Sequence, residues 1–217
     1  MPAGCWRLPW QGEEGWQLMF TMPRSLPRQV TGPVVSVLAR IGVTPNMLTV
    51  AQLIGGIIAG VIIANGSLAW GGVVLLAAAA LDAFDGTLAR TTGRVTKFGG
   101  VFDSTIDRMF EGAVLGGLLW YYLEQGSRQE SMLVFVTVVG SLCVSYVRAR
   151  AEVEGVSLYD GIFTRVVRLL FLTFGLIVGL LHPILWILAV ATILTAFHRL
   201  YATYQKLGNT PPGGART

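Results

Sequence analysis

A chain of 217 residues in which 53% are hydrophobic and only 13% charged does not read as a soluble domain, since such domains carry about 25% charged residues. Its net charge of +4 is modest and no aromatic-basic pattern accompanies it, which argues against nucleic acid as a partner. The surplus Lys and Arg are assigned instead to membrane topology and to anionic ligands. Cys5 and Cys143 stand in unlike contexts, one in a polar segment and one in an apolar run, so neither a disulfide nor a thiolate metal site is expected.

In chain order, the start holds Arg7, Glu13 and Glu14 without an apolar core and cleavage site, so no secretory signal peptide is expected. Residues 16–41 mix Trp16, Leu18, Phe20, Val34 and Leu38 with Arg24, Arg28 and Arg40. That mixture suits an amphipathic segment lying in the membrane interface, interrupted by Pro23, Pro27 and Pro33. Six apolar stretches follow, at 47–64, 68–88, 99–123, 132–151, 161–181 and 183–204. Each approaches or exceeds the ~20 residues that an α-helix needs to cross the hydrocarbon core. The expected fold is therefore all-α and polytopic, with six transmembrane helices. Residues 1–45 form the interfacial segment, 46–206 the membrane domain, and 207–217 a Gly- and Pro-rich disordered tail.

Cations set the expected orientation. Arg94 and Lys97 lie between the second and third stretches, and Arg148, Arg150, Arg165 and Arg168 flank the connection after the fourth. Arg7, Arg24, Arg28 and Arg40 precede the first, and Arg199, Lys206 and Arg216 close the chain, whereas Arg128 alone falls on the other side. By the positive-inside rule both termini face the cytoplasm, in a multi-pass protein of the cell membrane.

The second and third stretches contain carboxylates that such helices normally avoid. Asp82 and Asp85 are spaced i,i+3, and Asp103 and Asp107 i,i+4, so each pair shares a helix face. One intramembrane carboxylate costs roughly 2.5–3.5 kcal/mol, so four at one depth call for a compensating cation. The short connection makes the two helices antiparallel neighbours whose cytoplasmic ends bring the four acids together. Oxygen donors without His or Cys favour Mg²⁺, Mn²⁺ or Ca²⁺ over zinc, and two such ions suit chemistry on a diphosphate. Gly86, Ala89, Gly99 and Gly100 leave room for a phosphate or nucleotide, and Arg90 is placed to clamp phosphate oxygens. The ordinary alternative pairs Asp82 or Asp85 with Arg90, and Asp103 or Asp107 with Arg108. A divalent-cation transporter is a rival of another class, but it would spread acids across the bilayer rather than cluster them.

Written out, Asp82-x2-Asp85-Gly86-x2-Ala89-Arg90-x8-Gly99-x3-Asp103-x3-Asp107 resembles, without gap or substitution, the signature of the CDP-alcohol phosphotransferase family. The six-span layout extends the resemblance over nearly the whole chain. It implies that Asp82, Asp85, Asp103 and Asp107 form the site of two Mg²⁺ or Mn²⁺ ions, with Asp107 also the general base on the acceptor hydroxyl. It further implies that Gly86, Ala89, Arg90 and Gly99 line the CDP-lipid site, that Asn46 and Thr49 contribute near the cytidine, and that the protein is a homodimer among membrane lipids.

The text around the signature, and Ser145-Tyr146-Val147-Arg148-Ala149-Arg150-Ala151-Glu152, look most like the bacterial phosphatidylinositol phosphate synthases within that family. The resemblance implies CDP-diacylglycerol as donor and inositol phosphate as acceptor, a dianion that a cationic pocket would receive. Arg148, Arg150, Arg165, Arg168 and Arg199 are the candidates for that pocket. Glycerol phosphate would use a similar pocket and stands as the alternative acceptor. The family reads Glu-Arg-x2-Arg where this chain has Thr164-Arg165-x2-Arg168, a departure within the acceptor candidates.

Overall fold

A computed structural model describes residues 35–93, 95–156, 158 and 163–208. Most of the expected interfacial segment and of the C-terminal tail lies outside the described residues. Among the described residues a short helical segment at 35–40 precedes six longer helices: α1 (Pro45–Ala64), α2 (Leu68–Thr91), α3 (Lys97–Glu124), α4 (Arg128–Val153), α5 (Arg165–Val178) and α6 (Leu181–Leu207). No strand occurs among the described residues.

Local chemistry fixes the helix starts that matter for the site. Thr44 caps α1 by accepting from the Met47 amide at 3.3 Å, with Pro45 at the first helical position. Thr96 caps α3 in the same way, accepting from the Gly99 amide at 2.9 Å. A β-carbon on Gly99 would lie only 2.9 Å from that Thr96 hydroxyl, so glycine keeps the cap undistorted. The turn between α2 and α3 uses Gly93 at φ 66°, a left-handed conformation that glycine adopts without steric cost.

Four helices, α1, α2, α4 and α6, are long and apolar enough to cross a membrane. α3 has the length, at 28 residues, but carries charge at Lys97, Asp103, Asp107, Arg108 and Glu111. α5 is shorter than the stretch expected at 161–181. Gly179 ends it in the left-handed region at φ 79°, leaving 14 residues, or about 21 Å at 1.5 Å per residue.

Packing corrects one expectation. α2 and α3 are not packed along each other; both lean on α1, while α5 covers α2, α4 covers α3, and α6 packs on α4 and α5. A short loop brings two helix ends together but does not oblige their flanks to touch. Small residues determine which flanks do. A β-carbon on Gly60 would sit 2.5 Å from the Ala113 carbonyl oxygen, one on Gly117 would run into the Gly60 backbone, and one on Gly56 into the Phe110 ring. α1 and α3 therefore meet nearly backbone to backbone, around a core that includes Ile63, Leu75, Phe110, Val114 and Leu118. Outer faces expose Ile57, Ile58, Val61, Leu142, Phe174 and Leu194, apolar groups that suit a lipid solvent.

The alternating helices gather the C-terminal ends of α2, α4 and α6 and the N-terminal ends of α1, α3 and α5 at one end of the bundle. A helical segment at 35–40 closes beneath it, where Val35 is buried with Leu48 and Leu88.

Candidate metal and phosphate site

At that shared end, α2 presents Asp82 and Asp85 and α3 presents Asp103 across the gap between them. One carboxylate oxygen from each lies within 4.8 Å of the others. Asp85 is buried, and the other two are half-buried. Its Oδ2 accepts from the Thr49 hydroxyl of α1 at 3.1 Å. Asp103 Oδ1 is buried with no hydrogen-bond partner among the described residues, which is costly unless a cation or donor meets it. An all-oxygen set this tight, with an orphaned carboxylate oxygen, fits a hard divalent cation.

Asp107 falls outside that trio and is held differently. Its Oδ1 accepts from Gln52 Nε2 of α1 at 3.4 Å, and its Oδ2 pairs with Arg165 Nη1 at 2.8 Å. The same Nη1 reaches Asp82 Oδ1 at 3.1 Å. Arg165 therefore crosses from α5 to both signature helices, with its guanidinium 5.5 Å from the Phe110 ring centre. Its Nε and Nη2 are buried and have no hydrogen-bond partner among the described residues. These two N–H groups form one edge of the guanidinium, the fork that binds two oxygens of a phosphate.

The other expected residues divide. Gly86 and Ala89 share the C-terminal half of α2 with the aspartates, and a β-carbon on Gly86 would meet nothing closer than the Arg90 guanidinium, at 3.7 Å. Packing inside the protein thus gives no reason for glycine there. Arg90 donates to the Thr87 hydroxyl at 3.4 Å and Arg108 to the Ser104 carbonyl, so neither makes the local aspartate pair of the ordinary alternative. Asn46 is exposed in the first turn of α1.

Among the acceptor candidates, Arg165 alone is seen to contact the aspartates. Arg168 is committed inside the fold, with Nε and Nη2 on the Glu111 carboxylate at 2.8 and 3.0 Å and Nη1 on the Phe163 carbonyl at 3.3 Å. Arg148 and Arg150 pair with Glu152 and Glu154 one turn along α4. Arg199 is buried and donates from Nη1 to the Val144 carbonyl at 3.0 Å.

Two contributors were missed by sequence reasoning, Gln52 and Glu111. Spacing held the signal. Gln52 stands three residues after Thr49 and Glu111 four after Asp107, so each shares a face with a residue already singled out.

The CDP-alcohol phosphatidyltransferase family model matches residues 42–198. The chain is similar to the phosphatidylinositol phosphate synthase of Mycobacteroides abscessus, at 34% identity over 194 residues, covering 85% of this chain and 86% of that one. Its fold is similar to the crystal structure of the Mycobacterium tuberculosis phosphatidylinositol phosphate synthase with CDP-DAG bound. The TM-score is 0.77 at 30% identity, over 87% of this chain and 98% of that one. The same enzyme in complex with manganese and citrate also matches at TM-score 0.77 and 30% identity, over 86% and 93% of the two chains. With the signature aspartates converging at one end of a helical membrane bundle, and a family match over most of its length, the chain belongs to the CDP-alcohol phosphatidyltransferase family.

Proposed function

We propose that the protein transfers the phosphatidyl group of CDP-diacylglycerol to inositol phosphate, with release of CMP. The observation that carries this reading is the arrangement of Arg165 against the aspartates: Nη1 meets Asp107 and Asp82, and the Nε–Nη2 edge has no partner among the described residues. An anionic acceptor bound on that edge would bring its hydroxyl to the one signature carboxylate outside the trio. The names of the similar enzymes support the same donor and acceptor.

Asp82, Asp85 and Asp103 would hold two Mg²⁺ or Mn²⁺ ions, whose charge offsets that of the diphosphate and makes its phosphorus more electrophilic. Thr49 fixes Asp85 from α1, and Gln52 fixes Asp107. Asp107 takes the proton of the acceptor hydroxyl as its oxygen attacks the β-phosphorus, next to the diacylglycerol. The new P–O bond forms as the bond from that phosphorus to the bridging oxygen breaks, and CMP departs with the bridging oxygen. Gly86, Ala89, Arg90 and Gly99 line the approach of the nucleotide and diphosphate, with Asn46 and Thr49 nearer the cytidine. Arg165 leads the acceptor pocket, and Arg199, Arg148 and Arg150 sit on helix ends at the same side of the bundle.

α3 would supply a fifth span of a domain over 46–206, and α5 together with the residues that flank it a sixth. The cation distribution supports a cytoplasmic site in the cell membrane. Intramembrane charge on α3 is tolerable because it faces the site rather than lipid. The family resemblance supports pairing of two such chains as a homodimer.

The test supplies purified protein with CDP-diacylglycerol and Mg²⁺ or Mn²⁺ and compares inositol phosphate, glycerol phosphate, inositol and serine. CMP release with a phosphatidylinositol phosphate product is expected; turnover with glycerol phosphate alone would overturn the acceptor. Gly86→Ala probes the donor side. The substitution should favour the helix by roughly 0.5–1 kcal/mol and keep thermal stability. It should nonetheless raise KM for CDP-diacylglycerol about tenfold, near 1.4 kcal/mol. An unchanged KM would remove Gly86 from the donor site.

A further inference from the structure

We infer that Glu111 is a positioning residue for the acceptor pocket, acting through Arg168 to set where Arg165 stands. The inference rests on the reading of Arg165 as the receiver of an anionic acceptor.

Glu111 and Arg168 form a two-bond fork between α3 and α5, at 2.8 and 3.0 Å, with side-chain exposures of only 8% and 4%. The remaining nitrogen of Arg168 donates to the Phe163 carbonyl just ahead of α5. The pair thus ties together α3, the start of α5 and the segment before it.

The tie matters because α5 has little else to fix it against α3. α5 packs on α2 and α6, and α3 on α1 and α4; the two make no extended contact with each other. Side chains bridge them instead: Arg165 to Asp107, Arg165 over Phe110, and Arg168 to Glu111. Arg165 and Arg168 are i,i+3 on one short helix and so share a face. Holding Arg168 therefore holds Arg165, one turn nearer the helix start.

Charge adds a second reason for the acid. An unpaired Arg168 would be a buried cation one turn from Arg165 on the same helix face, left to seek another carboxylate. Glu111 neutralises it in place. A buried pair kept only for stability is weakly motivated, since apolar replacements of similar size often fold as well. Placement of Arg165 supplies the missing reason for an ion pair at this position.

The experiment measures kcat, KM for inositol phosphate, KM for CDP-diacylglycerol and thermal unfolding. It compares the wild-type chain with Glu111→Gln, Glu111→Asp and the double variant Glu111→Met/Arg168→Met. Glu111→Gln is expected to raise the acceptor KM at least tenfold while the donor KM stays within twofold. Glu111→Asp retains the charge and is expected to show a smaller rise. The double variant removes both charges, so it is expected to fold like the wild type and still show the raised acceptor KM. Should Glu111→Gln fail to fold, the double variant makes the same comparison.

If the variants shift only the unfolding temperature, or change both KM values equally, Glu111 is merely structural and the inference is overturned. A double variant with wild-type acceptor KM overturns it too. The wild-type measurements test the underlying reading separately. Turnover of glycerol phosphate in place of inositol phosphate corrects the acceptor, and the variants are then compared on glycerol phosphate, where the same split supports or overturns the role of Glu111. A wild type that uses only uncharged inositol or serine overturns both.

Discussion

Asp107→Asn is expected to lower the transfer rate by roughly 10²–10⁴-fold, the usual contribution of a general base, in a protein that still folds. Asparagine keeps the size of the side chain and an oxygen for the Gln52 amide, which donates to Asp107 at 3.4 Å. It loses the negative charge that holds Arg165 Nη1 at 2.8 Å and the basicity that would accept the acceptor's proton. Two readouts separate the possible causes. CMP release in a single turnover reports the chemical step, and Mn²⁺-dependent binding of CDP-diacylglycerol reports the metal site. Asp107 lies outside the trio of mutually close carboxylates, so binding should change by no more than about threefold, below 0.7 kcal/mol. Binding that collapses together with the rate would make Asp107 primarily a metal ligand. A rate near that of the wild type would end its assignment as base.

The aspartates were legible in the sequence because hydrocarbon makes carboxylates expensive and helix geometry limits where they can point. Spacing alone put each pair on one face; of the four acids expected together, the structure groups Asp82, Asp85 and Asp103 and holds Asp107 outside that trio. What the spacing could not reveal was the space between the two helices. Loop length constrains the ends of α2 and α3, whereas their flanks are decided by the small residues that let α1 approach both, such as Gly55 against Ala78 and Gly60 against Ala113. The role of Arg168 was hidden for a related reason. Its partner Glu111 is 57 positions away and on a different helix, and nothing in local sequence pairs residues at that distance. Arg168 and Arg165 looked equivalent as cations at one helix start; only tertiary contacts assign one to the fold and leave the other with an edge unpartnered among the described residues. The short α5 was likewise obscured, because Gly179 reads as one more small residue in an apolar run until its left-handed conformation ends the helix.

Asp85→Ala is expected to abolish the response to metal while making the metal-free protein no less stable. Asp85 is buried at 6% exposure, with two other carboxylate oxygens within 4.8 Å and the Thr49 hydroxyl as its hydrogen-bond donor. Arg165 pairs with Asp82 and Asp107, and no ion pair holds Asp85 among the described residues. Without a divalent cation, its charge is therefore a burden, on the order of the 2.5–3.5 kcal/mol that an acid costs within a membrane helix. Alanine removes that burden and the repulsion from Asp82 and Asp103, at the cost of one hydrogen bond worth about 1 kcal/mol. The unfolding temperature in chelator should accordingly stay level or rise. Added Mn²⁺ should raise it in the wild type, as any ligand that binds only the folded state must, and should fail to do so in the variant. Metal-dependent binding of CDP-diacylglycerol should weaken at least 100-fold, or about 2.7 kcal/mol. A structural salt bridge has the opposite signature, since removing one partner lowers stability with or without metal. A variant that melts earlier in chelator yet titrates with Mn²⁺ as the wild type does would assign Asp85 to packing and leave the metal to other residues.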